Sequence, residues 1–144
     1  MHGDCMKVYT CGQYYPTSHK MDFTIVNLGT TIKDNVVGYL LDIGEEIPTN
    51  CIDWAVKPEH STKRTNSGGI GLSLMEEFIY YNKGKYQIVS GDEFWELDRQ
   101  IVNNKELNYY FPGTIVNIEI DQNDTNIYKY EKIKNENDMN DELF

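Results

Sequence analysis

The chain has 144 residues, 40% of them hydrophobic, and its formal net charge at pH 7 is −10. This length suits one domain with a hydrophobic core, while the negative charge would repel a nucleic-acid backbone over most of the surface. No run approaches the roughly 18 apolar residues that a membrane helix needs. We therefore expect neither a nucleic-acid nor a membrane partner, and residues 1–5 lack a signal pattern, which favours a cytoplasmic protein.

The cysteines and histidines do not suggest a metal centre. Cys5, Cys11 and Cys51 are odd in number and form no Cys-x-x-Cys pair. The histidines lie far apart in the sequence, without carboxylates at ligand spacing. We expect free thiols and no bound metal.

Two strands and a helix are predicted in the first third of the chain. Residues 7–11 alternate as a strand that ends at Gly12, and residues 21–27 form a second strand. Apolar residues at helical spacing predict a helix over 32–41, which Asp34 or the threonines before it would cap.

A short helix and a polar loop follow. Thr49 is the expected N-cap of a helix over 51–56 that stops before Pro58. Residues 59–67 have no large apolar side chain and hold the densest basic cluster of this acidic chain. Such a segment either moves over an anionic ligand or is a solvated surface loop.

A longer helix and a hairpin are predicted next. Helical spacing of apolar residues covers 70–82, and Gly84 is the expected stop. The segments 86–90 and 93–97 are strand-like and flank Gly91-Asp92, a favourable hairpin turn.

The last predicted strand precedes a change in composition. Residues 107–111 are expected to be a short separate piece, and Pro112-Gly113 a break before a strand over 114–120. Residues 122–144 are rich in Asn, Asp, Glu and Lys, which predicts an acidic, flexible tail. Within it, 127–133 is a candidate docking segment for a protein partner.

A glycine-rich run, Ser67 to Leu72, leads into the predicted helix at 70–82. Glycines remove the Cβ atoms that keep a ligand away from the backbone, and the free N–H groups of a helix N-terminus attract anions. The run therefore suits a phosphate group. A plain loop before a core helix is the alternative.

Three short motifs occur in a particular order: Asn27-x-Gly29, Gly69-Ile70-Gly71-Leu72 and Gly113-Thr114. Together they resemble the Bergerat-fold ATP-binding domain of sensor histidine kinases, type II topoisomerases and heat-shock chaperones. The histidine-kinase-like ATP-binding proteins of bacteria are the closer likeness, which covers about residues 2–120.

The resemblance implies an α+β fold, namely a two-layer α/β sandwich of Bergerat type. Its sheet would be mixed and mostly antiparallel, with helices on one face. The domain would occupy residues 1–121, followed by the tail over 122–144. Its ligand would be ATP or ADP.

The resemblance also implies roles for individual residues. Asn27 stands where the family has an aspartate that accepts a hydrogen bond from the adenine amine, and an amide oxygen can still accept that bond. Gly29 matches a glycine of the same motif, whereas Thr31 replaces the second one. Thr114 matches the threonine that supports the adenine-binding side chain. On the phosphate side, the implied contacts are Lys63 and Arg64 of the lid loop, and Gly68, Gly69, Gly71 and Leu72 of the glycine motif.

The amino terminus is the largest departure from the family. Met1-His2-Gly3 is similar to the end of an Asn-x-x-x-His-Gly box whose asparagine holds magnesium. We therefore expect an N-terminally incomplete domain in which magnesium binds only if that box is supplied, because phosphoryl chemistry depends on the metal.

Three functional hypotheses follow. The first is an ATP- or ADP-binding module, similar to an ATPase or kinase domain but favouring binding over turnover. The second is a non-catalytic regulatory protein that binds a partner through its tail or an exposed sheet edge. The third is an α/β domain whose glycines are only structural.

Overall fold

The structure is a computed structural model, and it describes residues 7–58, 60–62 and 70–128. Within these ranges the elements are β1 (Val8–Tyr15), β2 (Lys20–Leu28), α1 (Ile32–Ile43), α2 (Cys51–Ala55), α3 (Ile70–Asn82), β3 (Lys85–Asp98) and β4 (Ile101–Asp121). The strands form one sheet in the order β1-β2-β4-β3, and every strand pair in the described part is antiparallel. The predicted α+β class is confirmed, but the described sheet is antiparallel rather than mixed.

The helices pack against a single face of the sheet, which we call the inner face. The main core joins α2 and α3 to β3 and β4, and it consists of Ile52, Val56, Ile79, Tyr86, Ile88, Trp95, Leu97 and Ile118. A smaller cluster of Val36, Leu40 and Cys51 lies between α1 and α2. All three helices therefore cover the β3 and β4 side, which leaves the inner face of β1 and β2 more exposed.

The first strand is longer than predicted. Gly12 does not end β1, because it pairs with Phe23 of β2 in an unbroken register that reaches Tyr15. A Cβ built on Gly12 would lie 3.0 Å from the Phe23 ring, so the aromatic side chain occupies the space that the glycine leaves. The chain reverses instead before β2, where His19 has a φ of 51°.

Helix α1 confirms the prediction for 32–41. Its N-cap is Thr31, whose hydroxyl accepts a hydrogen bond from the Asp34 N–H, while the Asp34 carboxylate accepts one from the Thr31 N–H. This reciprocal pair is a capping box. The helix ends at Gly44, which has a φ of 75°.

The cap of α2 differs from the prediction. Asn50, not Thr49, is the N-cap, and its side-chain oxygen accepts a hydrogen bond of 2.8 Å from the Asp53 N–H. Oε2 of Glu93 accepts from the two preceding N–H groups, those of Cys51 at 2.9 Å and Ile52 at 3.2 Å. A distant carboxylate therefore helps to determine where this short helix begins.

Helix α3 has the predicted bounds, but Gly84 is not its stop. The left-handed residue after the helix is Lys83, with a φ of 58°. A Cβ on Gly84 would lie 2.2 Å from the Glu119 carbonyl oxygen, so this glycine allows the chain to approach β4 closely. Asn82 fixes the same end, since its side chain donates to the Asp121 carbonyl and accepts from the Asp121 N–H.

Strand β3 reverses direction in its middle. Ten residues of extended chain would span about 30 Å, yet the Gln87 and Glu96 side chains hydrogen bond at 2.5 Å. Lys85 and Asp98 likewise form an ion pair at 3.3 Å. The two halves of β3 therefore lie side by side, and the predicted Gly91-Asp92 turn falls at the register shift between them, where Gly91 has a φ of 63°.

Strand β4 runs through the segment that was predicted to be broken. Residues 107–111 are not a separate piece, and Gly113 lies inside a strand that extends from Ile101 to Asp121. The turn that was not predicted is Arg99-Gln100, where φ is 47° and 70°. Two positive φ values are typical of a type I′ hairpin turn, although neither residue belongs to the types that favour it.

Candidate functional site

One end of the sheet brings together the residues of two predicted motifs. Asn27 on β2 pairs directly with Thr114 on β4, and Thr114 pairs with Ser90 on β3. Residues directly opposite each other in a ladder share a face. Ser90 is fully buried beneath the helices, so the three polar side chains form a row on the inner face.

The hydroxyl of Ser90 organises this row. Its oxygen lies 2.9 Å from the Ile32 amide nitrogen, 2.9 Å from the Gly113 carbonyl oxygen and 2.8 Å from the Thr114 hydroxyl oxygen. An N–H can only donate and a carbonyl can only accept, so the single proton of Ser90 goes to Gly113. Thr114 must then donate its own proton to Ser90, so the Thr114 oxygen can still accept a hydrogen bond, and its only side-chain partner among the described residues is Ser90.

Asn27 supplies a second acceptor beside it. Its Oδ1 atom is buried and has no hydrogen-bond partner among the described residues. A buried polar atom without a partner costs about 1–3 kcal/mol, and such atoms are uncommon in folded proteins. This end of the sheet therefore presents two neighbouring oxygens, from Asn27 and Thr114, that can each accept a hydrogen bond.

Two glycines bring the backbones of β2 and β4 close together here. Gly29 donates its N–H to the Pro112 carbonyl at 3.0 Å. A Cβ on Gly113, whose φ is 154°, would lie 2.1 Å from the Asn27 carbonyl oxygen. The predicted break at Gly113 is therefore a point of close strand approach that positions Asn27 beside Thr114.

Thr31, which follows the Asn27-x-Gly29 motif, has a structural role. Thr31 is fully buried and caps α1, and the following N–H, that of Ile32, donates to Ser90. A glycine here would lose the hydroxyl that accepts from Asp34. Thr31 thus supplies a helix cap at the point where α1 is hydrogen bonded to Ser90.

The glycine motif lies only partly within the described residues. Lys63, Arg64, Gly68 and Gly69 lie outside them, whereas Gly71 and Leu72 belong to the first turn of α3. Gly71 is exposed, with no described atom within 4 Å of a built Cβ. Leu72 is partly buried and packs against the main core, so its side chain contributes to the core.

Helix α3 runs toward the sheet end that carries Asn27. Its last residue, Asn82, is bonded to Asp121 at the opposite end of the sheet. Phe78 and Met75 then line one groove with Phe23 and Ile25 of β2. Gly71 lies about 10 Å farther along the helix from Phe78, and Asn27 lies about 14 Å farther along β2 from Phe23. The N-terminus of α3 and Asn27 therefore extend in the same direction.

That groove is an apolar cavity of about 340 Å³ between α3 and the outer two strands. Its walls include the side chains of Phe23, Ile25, Met75 and Phe78, and Gly12 forms part of its floor. Tyr128, which follows β4, packs edge-on against Phe78 at 5.0 Å. The groove has no charged lining residue.

Sequence reasoning missed Ser90 and Glu93. Ser90 continues an alternating strand pattern in which Tyr86 and Ile88 are buried, and a serine at a buried position was the available signal. Glu93 is also buried, and burial raises the pKa of its carboxyl above the ordinary value despite the two N–H groups that it accepts and nearby Lys33. Glu93 stabilises α2 and does not face the acceptor oxygens of Asn27 and Thr114.

The described residues contain no group of three or more His, Cys, Asp or Glu side chains that could hold a metal ion. In the same part of the chain, no helix combines the length and apolarity needed to cross a membrane. Neither a scan against protein-family models nor a search of curated proteins finds a match to this chain.

Proposed function

We propose that this chain is a nucleotide-binding module of the histidine-kinase-like type, with the two-layer Bergerat sandwich as its fold, and that it binds ATP or ADP. The observation that supports this proposal most directly is the buried Asn27 Oδ1, which has no described hydrogen-bond partner, together with the Thr114 oxygen opposite it, which can accept a further hydrogen bond. The confirmed α+β class is compatible with it, whereas the antiparallel described sheet differs from the mixed sheet that the resemblance implies.

The two acceptors match the exocyclic amine of adenine. An amino group carries two protons, so it can donate one to Asn27 and one to Thr114. A guanine or hypoxanthine ring has a carbonyl oxygen at the corresponding position. That oxygen would meet the lone pair of Thr114, whose proton is already donated to Ser90. The site should therefore favour adenine over 6-oxo purines.

The phosphates would lie at the N-terminus of α3. The N-terminus of this helix points toward the end of the sheet that carries Asn27, and Gly71 leaves space there for a phosphate group. The family resemblance adds Gly68 and Gly69 to this cradle and Lys63 and Arg64 as cations over the phosphates. Magnesium belongs to the proposal only if an asparagine box of the family type is supplied.

The test is a calorimetric titration of the full chain with ATP, ADP and GTP, each with and without Mg²⁺. We expect ATP and ADP to bind and GTP to bind more weakly. No binding of any nucleotide up to millimolar concentration would refute the proposal.

Asn27→Ala separates a ligand contact from a structural role. The substitution removes a buried acceptor that has no described partner, so it should leave the free energy of unfolding unchanged or higher. It should weaken ATP binding by about 5- to 150-fold, because the adenine amine would lose 1–3 kcal/mol of interaction. Thr24→Ala is the control, since Thr24 bonds to Asn117 on the other face of the sheet. Equal ATP affinity for wild type and Asn27→Ala would argue against the adenine assignment.

A further inference from the structure

The inference concerns the free edge of the sheet and does not depend on nucleotide binding. Strand β1 pairs with β2 on one side, and among the described strands it has no partner on the other. All eight of its residues are exposed. An edge strand of this kind offers a row of unpaired N–H and C=O groups to another strand.

Strand β1 lacks the usual protection of an edge. It contains no charged residue and no proline in a chain that is 25% charged. It pairs with β2 through eight consecutive residues without a bulge. Natural edge strands are commonly blunted by lysine, proline or a bulge, so an unblunted strand is a candidate for pairing.

The distribution of charge indicates which partner would pair with β1. The chain carries a net charge of −10, so two copies repel each other over most of their surfaces. The segment from Val8 to Tyr15 is a surface where two copies can meet without placing like charges opposite each other. A basic partner, by contrast, would find no carboxylate on this strand.

Exposed apolar side chains on β2, next to the edge strand, also favour the pairing of two copies. Phe23 is 40% exposed and Ile25 is 38% exposed on the inner face of β2, and Val8 continues this surface onto β1. If the inner faces of two copies lay on the same side of a joined sheet, these side chains would form one continuous apolar surface.

We propose that β1 pairs in an antiparallel manner with β1 of a second copy, about a two-fold axis perpendicular to the sheet. An isologous contact of this kind presents the same surface from both copies. Because the inner faces must lie on the same side, inner-face residues pair with inner-face residues. A register centred on Cys11 satisfies this condition: Val8 faces Tyr14 of the other copy, and the two Cys11 residues face each other.

Sedimentation and light scattering of the full chain test the assembly. We expect a species of twice the 16.8 kDa chain mass at micromolar concentration. Tyr9→Lys places a charge on the edge and should yield the monomer. The matched control is Tyr81→Lys, because Tyr81 is 55% exposed on α3 and Tyr9 is 54% exposed on β1. A monomeric wild type, or a Tyr9→Lys dimer, would overturn the proposal.

Cross-linking tests the register without relying on a substitution in the edge that could unfold the chain. In a Cys5→Ser background, mild oxidation with copper phenanthroline should join two chains through Cys11, which is exposed. Cys51 is buried, and burial raises its pKa to about 11, so it should not react. Adding Cys11→Ser should abolish the cross-link. A dimer whose Cys11 residues do not join would overturn this arrangement.

Discussion

Replacing Gly113 with alanine tests whether close approach of β2 and β4 supports the candidate site. The added Cβ would lie 2.1 Å from the Asn27 carbonyl oxygen and 2.8 Å from the Leu28 Cα, and ordinary contact begins at 3.4 Å. The strands would have to separate by about 1 Å, a distance that weakens the Gly29 to Pro112 hydrogen bond and its neighbours in the ladder.

The expected cost follows from these contacts. One or two weakened hydrogen bonds are worth about 1 kcal/mol each, and a non-glycine residue at this φ adds about 1–3 kcal/mol of backbone strain. We expect Gly113→Ala to lower the free energy of unfolding by about 3–4 kcal/mol, a large fraction of the 5–15 kcal/mol typical of a domain. The melting temperature should fall by roughly 10 °C or more.

Urea denaturation followed by circular dichroism measures this change. The control is Gly38→Ala, because Gly38 lies inside α1 with no described atom within 4 Å of a built Cβ. That substitution should raise stability by roughly 0.5–1 kcal/mol, as expected for alanine in a helix interior. If Gly113→Ala were as stable as wild type within about 0.5 kcal/mol, the close approach would not constrain this position.

Three further substitutions give independent tests. Burial raises the pKa of the Glu93 carboxyl, so the native state binds the carboxyl proton more tightly than the unfolded chain does. The contribution of Glu93 to stability is therefore largest below its ordinary pKa and declines as pH rises. Glu93→Gln should therefore gain stability relative to wild type between pH 4 and pH 7 in thermal melts, and a difference that does not vary with pH would contradict this. Thr31→Ala should cost about 1 kcal/mol in urea denaturation because it removes the cap of α1; an unchanged midpoint would contradict the role of the cap. Gly71→Ala should leave stability unchanged or raised, since its Cβ meets no described atom, but weaken ATP binding about tenfold in calorimetry; an unchanged dissociation constant would show that the phosphates lie elsewhere.

Local signals predicted the helices well. The sequence around Thr31 and Asp34 contains a complete capping box, so α1 could be placed from neighbouring residues alone. At α2 both Thr49 and Asn50 are able to cap. The structure favours Asn50, and Glu93, 42 residues away from Cys51, holds the adjacent N–H groups. A sequence pattern cannot supply that distant carboxylate.

The strands show where local signals mislead. Pro112-Gly113 has the composition of a loop, yet Gly113 is required inside β4 because the β2 backbone approaches it. Arg99-Gln100 has no turn signature, yet it reverses the chain. Both outcomes depend on partners that are distant in the sequence, and so does the role of Ser90.

The turn at Arg99-Gln100 also indicates where this chain could be made more robust. Both residues hold positive φ angles that glycine or asparagine adopts at lower energy. Exchanging the pair for Asn-Gly would retain the type I′ geometry and remove a conformational penalty. The turn lies at the end of the sheet opposite Asn27, since the Arg99 N–H donates to the carbonyl of Gly84, which lies against Glu119. A chain with this higher free energy of unfolding would remain folded with destabilising substitutions such as Gly113→Ala. The effect of those substitutions on ligand affinity could then be measured in folded protein.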